Sequence, residues 1–238
     1  MKLPETVNTT LKIFVAYFLI IATSSTMALP AAFQANYSVA KGRLKLGNLH
    51  ASLKYSGNQY HYHKHTKSTG LAAMLTGIKI TENTDGLIAG ENITPQNYLF
   101  NQSRRKKSRI DKTRFTAKNA VGSYKNKPYN LPIKPGTQDR ASMELVLARD
   151  MARNKANLHY TVAERGKLKQ YKFQKLGFQK IKTPAGEFNA MKVKVVRETK
   201  KRETTFWLAK EIDFLPVKIR HVEKSDVITT VIKNYKKL

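Results

Sequence analysis

Four of the six histidines, His50, His61, His63 and His65, fall within sixteen residues. Imidazole nitrogens are first-row metal ligands, and three converging on one point would hold zinc or copper. Gly57-Asn58, between two alternating stretches, reads as a two-residue hairpin turn. Residues whose numbers sum to 115 then pair across it, which sets Lys54 opposite His61, Ser52 opposite His63 and His50 opposite His65, with all four histidines on one face. Opposed pairs lie about 5 Å apart and next neighbours on a strand about 7 Å. His50, His63 and His65 are therefore a candidate metal site. Against it stand Lys54 and Lys64 and the lack of any carboxylate in the hairpin. The ordinary alternative is a core face of Leu53, Tyr55, Tyr60 and Tyr62 with histidines on the polar face.

The stretch Ser103 to Lys118 holds eight Lys and Arg and one Asp. Arg105, Lys107, Arg109 and Asp111 share one parity and Arg104, Lys106, Lys112 and Arg114 the other, so charge lies on both faces of an edge strand or protruding ribbon. Arg104, Arg105, Lys106, Lys107 and Arg109 form a candidate anionic-ligand patch, each base contributing on the order of 1 kcal/mol near an anionic surface. The competing reading is a solvated edge kept basic to prevent strand-to-strand aggregation.

Other chemistry finds little support. There is no Gly-x-Ser-x-Gly elbow, no phosphate-cradling glycine loop and no His-Glu-x-x-His pair, so no catalytic residue is assigned and no enzyme is expected. Asp139, Glu144 and Asp150 are explained by helix capping and lysine pairing. Tyr124 and Tyr129 among Lys125 and Lys127 resemble aromatic interleaving, but no nucleic-acid motif accompanies them, and no physiological nucleic-acid partner is expected.

The context of these residues is set at the N-terminus. Lys2 and Lys12 precede an apolar run from Ile13 to Ala22, followed by Thr23, Ser24, Ser25 and Thr26. This is signal-peptide anatomy, and the run is about half of the roughly 20 residues that a spanning helix needs. Cleavage after Ala28 gives a signal peptide over 1–28 and a mature chain over 29–238, with sites after Ala31 or Ala32 as alternatives. No cysteine occurs anywhere, which excludes disulfides, thiolate metal sites and a lipid-modified cysteine. The chain carries 44 Lys and Arg against 16 Asp and Glu, and loss of Lys2, Lys12 and Glu5 with the signal leaves +27. Such a field attracts polyanions. For an exported protein these are phospholipid headgroups, lipopolysaccharide phosphates and acidic wall polymers.

Residues 29–238 suit one core. Strand period with turn punctuation recurs every 8 to 12 residues, roughly the spacing of a sandwich or barrel. The strand candidates are Phe33–Ala40, the hairpin, Lys79–Thr84 before a turn at Asp85-Gly86, Tyr98–Phe115 in pieces, Leu158–Glu164, Lys167–Phe173, Phe178–Lys182, Phe188–Arg197, Glu203–Ala209, Leu215–Glu223 and Val227–Tyr235. The segment from Asp139 to about Arg153 breaks the pattern: Met143, Val146, Leu147 and Met151 recur at helical intervals behind an Asp139 N-cap. Lys125 to Gln138, with three prolines, reads as an internal crossover loop. Phe206, Trp207, Leu208, Leu215 and Val217 are apolar on both parities, which indicates strands buried on both faces or a concave face around something hydrophobic.

Phe33 with Tyr37, Gly90 with Pro95 and Tyr98, Asp139-Arg140-Ala141-Ser142 leading to Leu147 and Arg149, Thr183-Pro184-Ala185-Gly186-Glu187-Phe188, Phe206-Trp207-Leu208 and Leu215-Pro216-Val217 with Glu223 occur in order along nearly the whole mature chain. Together they resemble the bacterial envelope family known only as domain of unknown function 3108 (DUF3108). The resemblance implies a mainly β periplasmic protein, a long bent antiparallel sheet or open barrel wrapped around one helix, similar in outline to barrels that carry lipids or lipoproteins between membranes. It supplies no activity, and the lysine load and histidine hairpin depart from the family pattern.

The reading is thus an exported, non-enzymatic periplasmic binding protein or envelope-maintenance factor without a cofactor. It would engage an anionic lipid, a glycolipid or the envelope surface, with tails in a cleft at Met143, Leu147 and Trp207 and phosphates on the basic patch. The alternatives are a basic scaffold for an envelope protein, with no ligand cavity, and the histidine-dependent metal protein.

Overall fold

A computed structural model describes residues 29–105, 107–197 and 201–238. The signal peptide expected over 1–28 lies outside the described residues. From Phe33 onward, alternation of apolar and polar side chains produces strand after strand: β1 (Phe33–Lys41), β2 (Leu44–Ser56), β3 (Gln59–Ser68), β4 (Ile78–Ala89), β5 (Asn92–Arg104), β6 (Lys107–Phe115), β7 (Asn119–Tyr124) and β8 (Lys127–Pro132). After a helix come β9 (Leu158–Glu164), β10 (Lys167–Thr183), β11 (Gly186–Val196), β12 (Arg202–Ala209), β13 (Leu215–Glu223) and β14 (Asp226–Lys237). All belong to one 14-stranded antiparallel sheet, in the order β8-β7-β6-β5-β4-β3-β2-β1-β14-β13-β12-β11-β10-β9. The fold is mainly β, a bent sheet rolled into a nearly closed barrel, as the sequence leads one to expect.

The two edges meet without pairing as strands. The Tyr129 hydroxyl of β8 donates to Asp111 Oδ1 at 3.0 Å, and Asp111 Oδ2 accepts the Arg165 amide of the β9–β10 turn at 2.7 Å. Because every neighbouring pair is antiparallel, the turns alternate between two rims. The β1–β2, β3–β4, β5–β6, β7–β8, β9–β10, β11–β12 and β13–β14 connections share one rim, called here the mouth rim.

The helix α2 (Arg140–Ala152) fills the barrel. Asp139 caps it: Oδ1 accepts the Ala141 and Ser142 amides at 2.7 and 2.8 Å, while the Asp139 amide donates to Ser142 Oγ at 3.0 Å. This reciprocal box satisfies donors that a helix start otherwise leaves unpaired. Leu145, Val146, Leu147, Ala148 and Met151 are buried among sheet side chains from Phe33, Leu53, Leu158 and Val193. A second helix, α1 (Gly70–Thr76), joins β3 to β4.

Three sequence expectations are corrected. Asp85-Gly86 is a bulge inside β4, where the register shifts from Asp85↔Asn97 to Gly86↔Pro95. Lys125 to Gln138 is not all loop, since β8 occupies Lys127–Pro132 and carries Pro128 and Pro132. It is an edge strand, and there a missing amide donor is tolerated. Lys167–Phe173 and Phe178–Lys182 are one strand, β10, bent by a register shift between Lys175 and Phe178.

Candidate functional site

Between α2 and the β9–β13 half of the sheet lies a cavity of about 670 Å³, within the usual range of ligand pockets. Successive turns of α2 supply its helical wall. Met143 and Leu147, four residues apart, line it together, as do Arg140 and Glu144.

The opposite wall comes from alternate residues of several strands, and the polarity of each strand changes in the same direction. Along β12 the lining residues run Leu208, Phe206, Thr204, Arg202, and along β10 they run Phe173, Tyr171, Lys169. On β13, Pro216 pairs with Leu208, Ile219 with Phe206, His221 with Thr204 and Glu223 with Arg202. The cavity is therefore layered. Its floor is aliphatic and aromatic, its middle hydroxyl and imidazole, and its top, at the mouth rim, charged.

At that top six cations, Arg109, Arg140, Arg165, Lys169, Arg197 and Arg202, face three carboxylates, Glu144, Glu164 and Glu223. Arg202 is held by Glu223 at 2.5 Å, and Lys169 pairs with Glu164. Arg140, with its side chain 34% exposed into the cavity, sits 3.7 Å from Glu82 and 3.6 Å from Glu164. Arg109, Arg165 and Arg197 form no salt bridge among the described residues. Their fields add to a net positive mouth with low-dielectric walls, which concentrates field lines on an entering anion. Burial together with Arg197 lowers the His221 pKa, while its Nδ1 stays 2.8 Å from Thr204 Oγ1.

Behind α2 a buried charge network fixes the helix against the other half of the sheet. Lys64 Nζ lies 2.9 Å from Glu82 and 2.7 Å from Glu144, Tyr98 donates to Glu82 at 2.7 Å and Tyr62 to Glu144 at 3.1 Å. Burial alone would raise the Glu82 carboxyl, but Lys64 and Arg140 pull it down to about 2. Burial pushes Asp139 up to about 6 against the hydrogen bonds from Thr84, Ser142 and Ala141. Asp150 is engaged by Arg149 at 2.7 Å and by Lys155 at 3.2 Å.

The residues singled out in the sequence divide accordingly. Met143 and Leu147 line the cavity, but Trp207 does not. One position along β12 reverses the face, and the indole lies on the convex side between Lys192 and Lys218, 5.7 and 4.9 Å from its ring, donating to Gln179 at 2.8 Å. Its neighbours Phe206 and Leu208 are the lining residues. Of the basic patch, only Arg109 reaches the cavity. Arg104, Arg105 and Lys107 sit at the β5–β6 hairpin tip, and Lys106 lies outside the described residues.

The histidine hairpin forms in the expected register, His50↔His65, Ser52↔His63 and Lys54↔His61. His50 Nδ1 meets Asn36 at 2.9 Å, His63 Nδ1 meets Asn83, and His65 Nδ1 meets Thr81 at 3.2 Å. Among the described residues no group of three histidines or acids is arranged to hold a metal ion. The rings stack along the face, His63 and His65 at 6.5 Å between centroids, rather than converging.

Arg140, Arg165, Lys169, Arg197 and Arg202 were not picked out from the sequence. The available signal was the parity-resolved series Lys169, Tyr171, Phe173 and Arg202, Thr204, Phe206, Leu208, in which charge fades into apolar bulk along one face.

A family model described as "Protein of unknown function (DUF3108)" matches residues 33–232. A crystal structure of a β-barrel-like protein of domain of unknown function DUF1849 from Brucella abortus is similar at a TM-score of 0.55 and 10% identity, over 88% of this chain and 99% of that one. A candidate lipoprotein from Parabacteroides distasonis superimposes at a TM-score of 0.35 and 9% identity, over 88% and 98% of the two chains. No curated protein sequence matches the chain. Among the described residues no helix is long and apolar enough to cross a membrane.

Proposed function

The chain belongs to the DUF3108 family, and from that premise we propose that it is an exported, non-enzymatic binding protein of the periplasm that holds an anionic lipid or glycolipid in the α2 cavity. The tail lies on Leu147, Phe173, Phe206 and Leu208, and the acidic headgroup meets Arg109, Arg165 and Arg197 at the mouth. The observation that carries this reading is the one-way gradient of the cavity, apolar below and cationic above, which matches an amphiphile with a negative head. Burial of each methylene from water contributes about 0.8 kcal/mol, so a chain of modest length suffices for stable occupancy.

The competing scaffold reading requires a filled core, whereas space of about 670 Å³ opens directly beside Met143 and Leu147. The test is mass spectrometry of organic extracts of the protein purified from the periplasm, with N-terminal sequencing of the same sample. A near-stoichiometric phospholipid or glycolipid on a chain starting near Leu29 is the expected result. An empty protein that unfolds cooperatively would overturn the carrier reading in favour of the scaffold.

A further inference from the structure

The helix α1 exposes apolar side chains where a soluble surface would be polar. Leu71, Met74 and Leu75 are 59, 77 and 60% accessible, and of its residues only Ala72 is buried. Positions 71, 74 and 75 fall on one face of a helix. The helix is nevertheless firmly set. Its start is tied to β2 by the Thr69 amide on Leu46 O at 3.1 Å, and its end is closed by Gly77 in the left-handed region. The apolar face is thus presented outward by construction.

Cations surround that face. The tip of the β5–β6 hairpin lies against it: Arg105 reaches the Met74 carbonyl at 3.5 Å, and Leu75, Arg104, Arg105 and Lys107 line one shallow groove. None of these three bases pairs with a carboxylate among the described residues. Both features stand on the mouth rim, the rim onto which the cavity opens. Other turns of that rim add exposed Arg43, Lys45, Lys125, Lys127, Lys167 and Lys224. On the opposite rim the turns Gly57-Asn58, Gly90-Glu91 and Pro184-Ala185 carry no Lys or Arg, and the β6–β7 and β12–β13 turns carry one exposed base each, Lys118 and Lys210.

We propose that the mouth rim docks on an anionic phospholipid bilayer, with Leu71, Met74 and Leu75 of α1 inserted among the headgroups and Arg104, Arg105 and Lys107 held on the lipid phosphates. An apolar wedge ringed by bases is the arrangement that binds a membrane interface, since insertion and electrostatic attraction add. In this orientation the cavity mouth faces the leaflet. The docking shares the envelope reading given for the cavity, but surface attachment and cargo are measured separately and either can fail alone.

The test is co-sedimentation of the mature protein with vesicles of phosphatidylcholine alone or with phosphatidylglycerol, over a salt series. Binding to anionic vesicles that weakens as salt rises is expected, with little binding to neutral ones. L71S/M74S/L75S should lower affinity about tenfold or more while keeping the salt dependence, and R104Q/R105N/K107Q should flatten that dependence. Leu75→Trp should shift its emission to the blue on anionic vesicles. Equal binding to both vesicle types, or affinity unchanged in both triple variants, would overturn the docking. Lipid content of the L71S/M74S/L75S protein, read by mass spectrometry, reports on the cavity independently of attachment.

Discussion

Asp139 is fully buried at the start of α2 and its carboxyl is pushed up to about 6. A carboxyl raised on folding contributes stability that is complete below its unfolded value near 3.8 and is lost as pH rises through about 6. Glu82 has the opposite sign: its folded value near 2 stabilises above 4.5 and is lost as pH falls toward 2. Thermal unfolding of Asp139→Asn, measured against wild type from pH 3 to 8, should therefore remove the decline between about pH 4 and 6. Asn keeps a carbonyl acceptor for the Ala141 and Ser142 amides, whereas Asp139→Ala should lose about 1–2 kcal/mol with the cap. Lys64→Met should cost about 3–5 kcal/mol in urea unfolding, because Glu82 and Glu144 then face each other without their shared cation. Adding Glu82→Gln and Glu144→Gln to Lys64→Met should restore much of that loss.

Among the elements, β4 and β5 approach closely at the bulge. A Cβ at Gly86 would stand 2.1 Å from the Thr94 carbonyl oxygen and 2.9 Å from the Tyr60 ring, so the strands must part to admit it. Gly86→Ala should destabilise by about 2–4 kcal/mol in urea unfolding, and Gly90→Asn, in open space at φ +59°, by under about 1 kcal/mol. This glycine also shows where sequence reading stops. Asp-Gly is chemically a turn, and only the approach of β5 makes it a bulge. The histidine hairpin, the Asp139 cap and the extent of α2 were legible because they are fixed by local chemistry: turn residues, a capping oxygen and helical spacing. The α1 helix was not, since seven residues that begin with one glycine and are closed by another carry too little periodicity to register. Trp207 lies on the convex side, against the sequence expectation, for a related reason. When both parities of a strand are apolar, the choice of concave face belongs to the sheet's curvature, and Lys192 and Lys218 cover the indole with their stems.

At the scale of the whole molecule, the sheet order brings together what the chain keeps apart: Arg109 from β6, Arg140 from α2 and Arg197 after β11 meet over one apolar floor. Assembly of the mouth is thus a consequence of barrel closure, which explains why a contiguous run such as 104–109 was the visible candidate while the dispersed cluster was not. Cargo should in turn stabilise the closed barrel. A ligand that binds only the folded state adds about 2.7 kcal/mol at a hundredfold excess over its Kd, so delipidated protein should melt at a lower temperature and regain its midpoint on addition of phosphatidylglycerol. Arg109→Gln with Arg197→Gln leaves the floor intact and removes two mouth cations that form no salt bridge among the described residues. It should keep the delipidated stability within about 0.5 kcal/mol of wild type yet shrink the recovery given by phosphatidylglycerol, with no change in that given by an uncharged diacylglycerol. Equal recovery by both lipids in wild type would mean that the floor alone selects cargo and that the cations over it serve the docking rim instead.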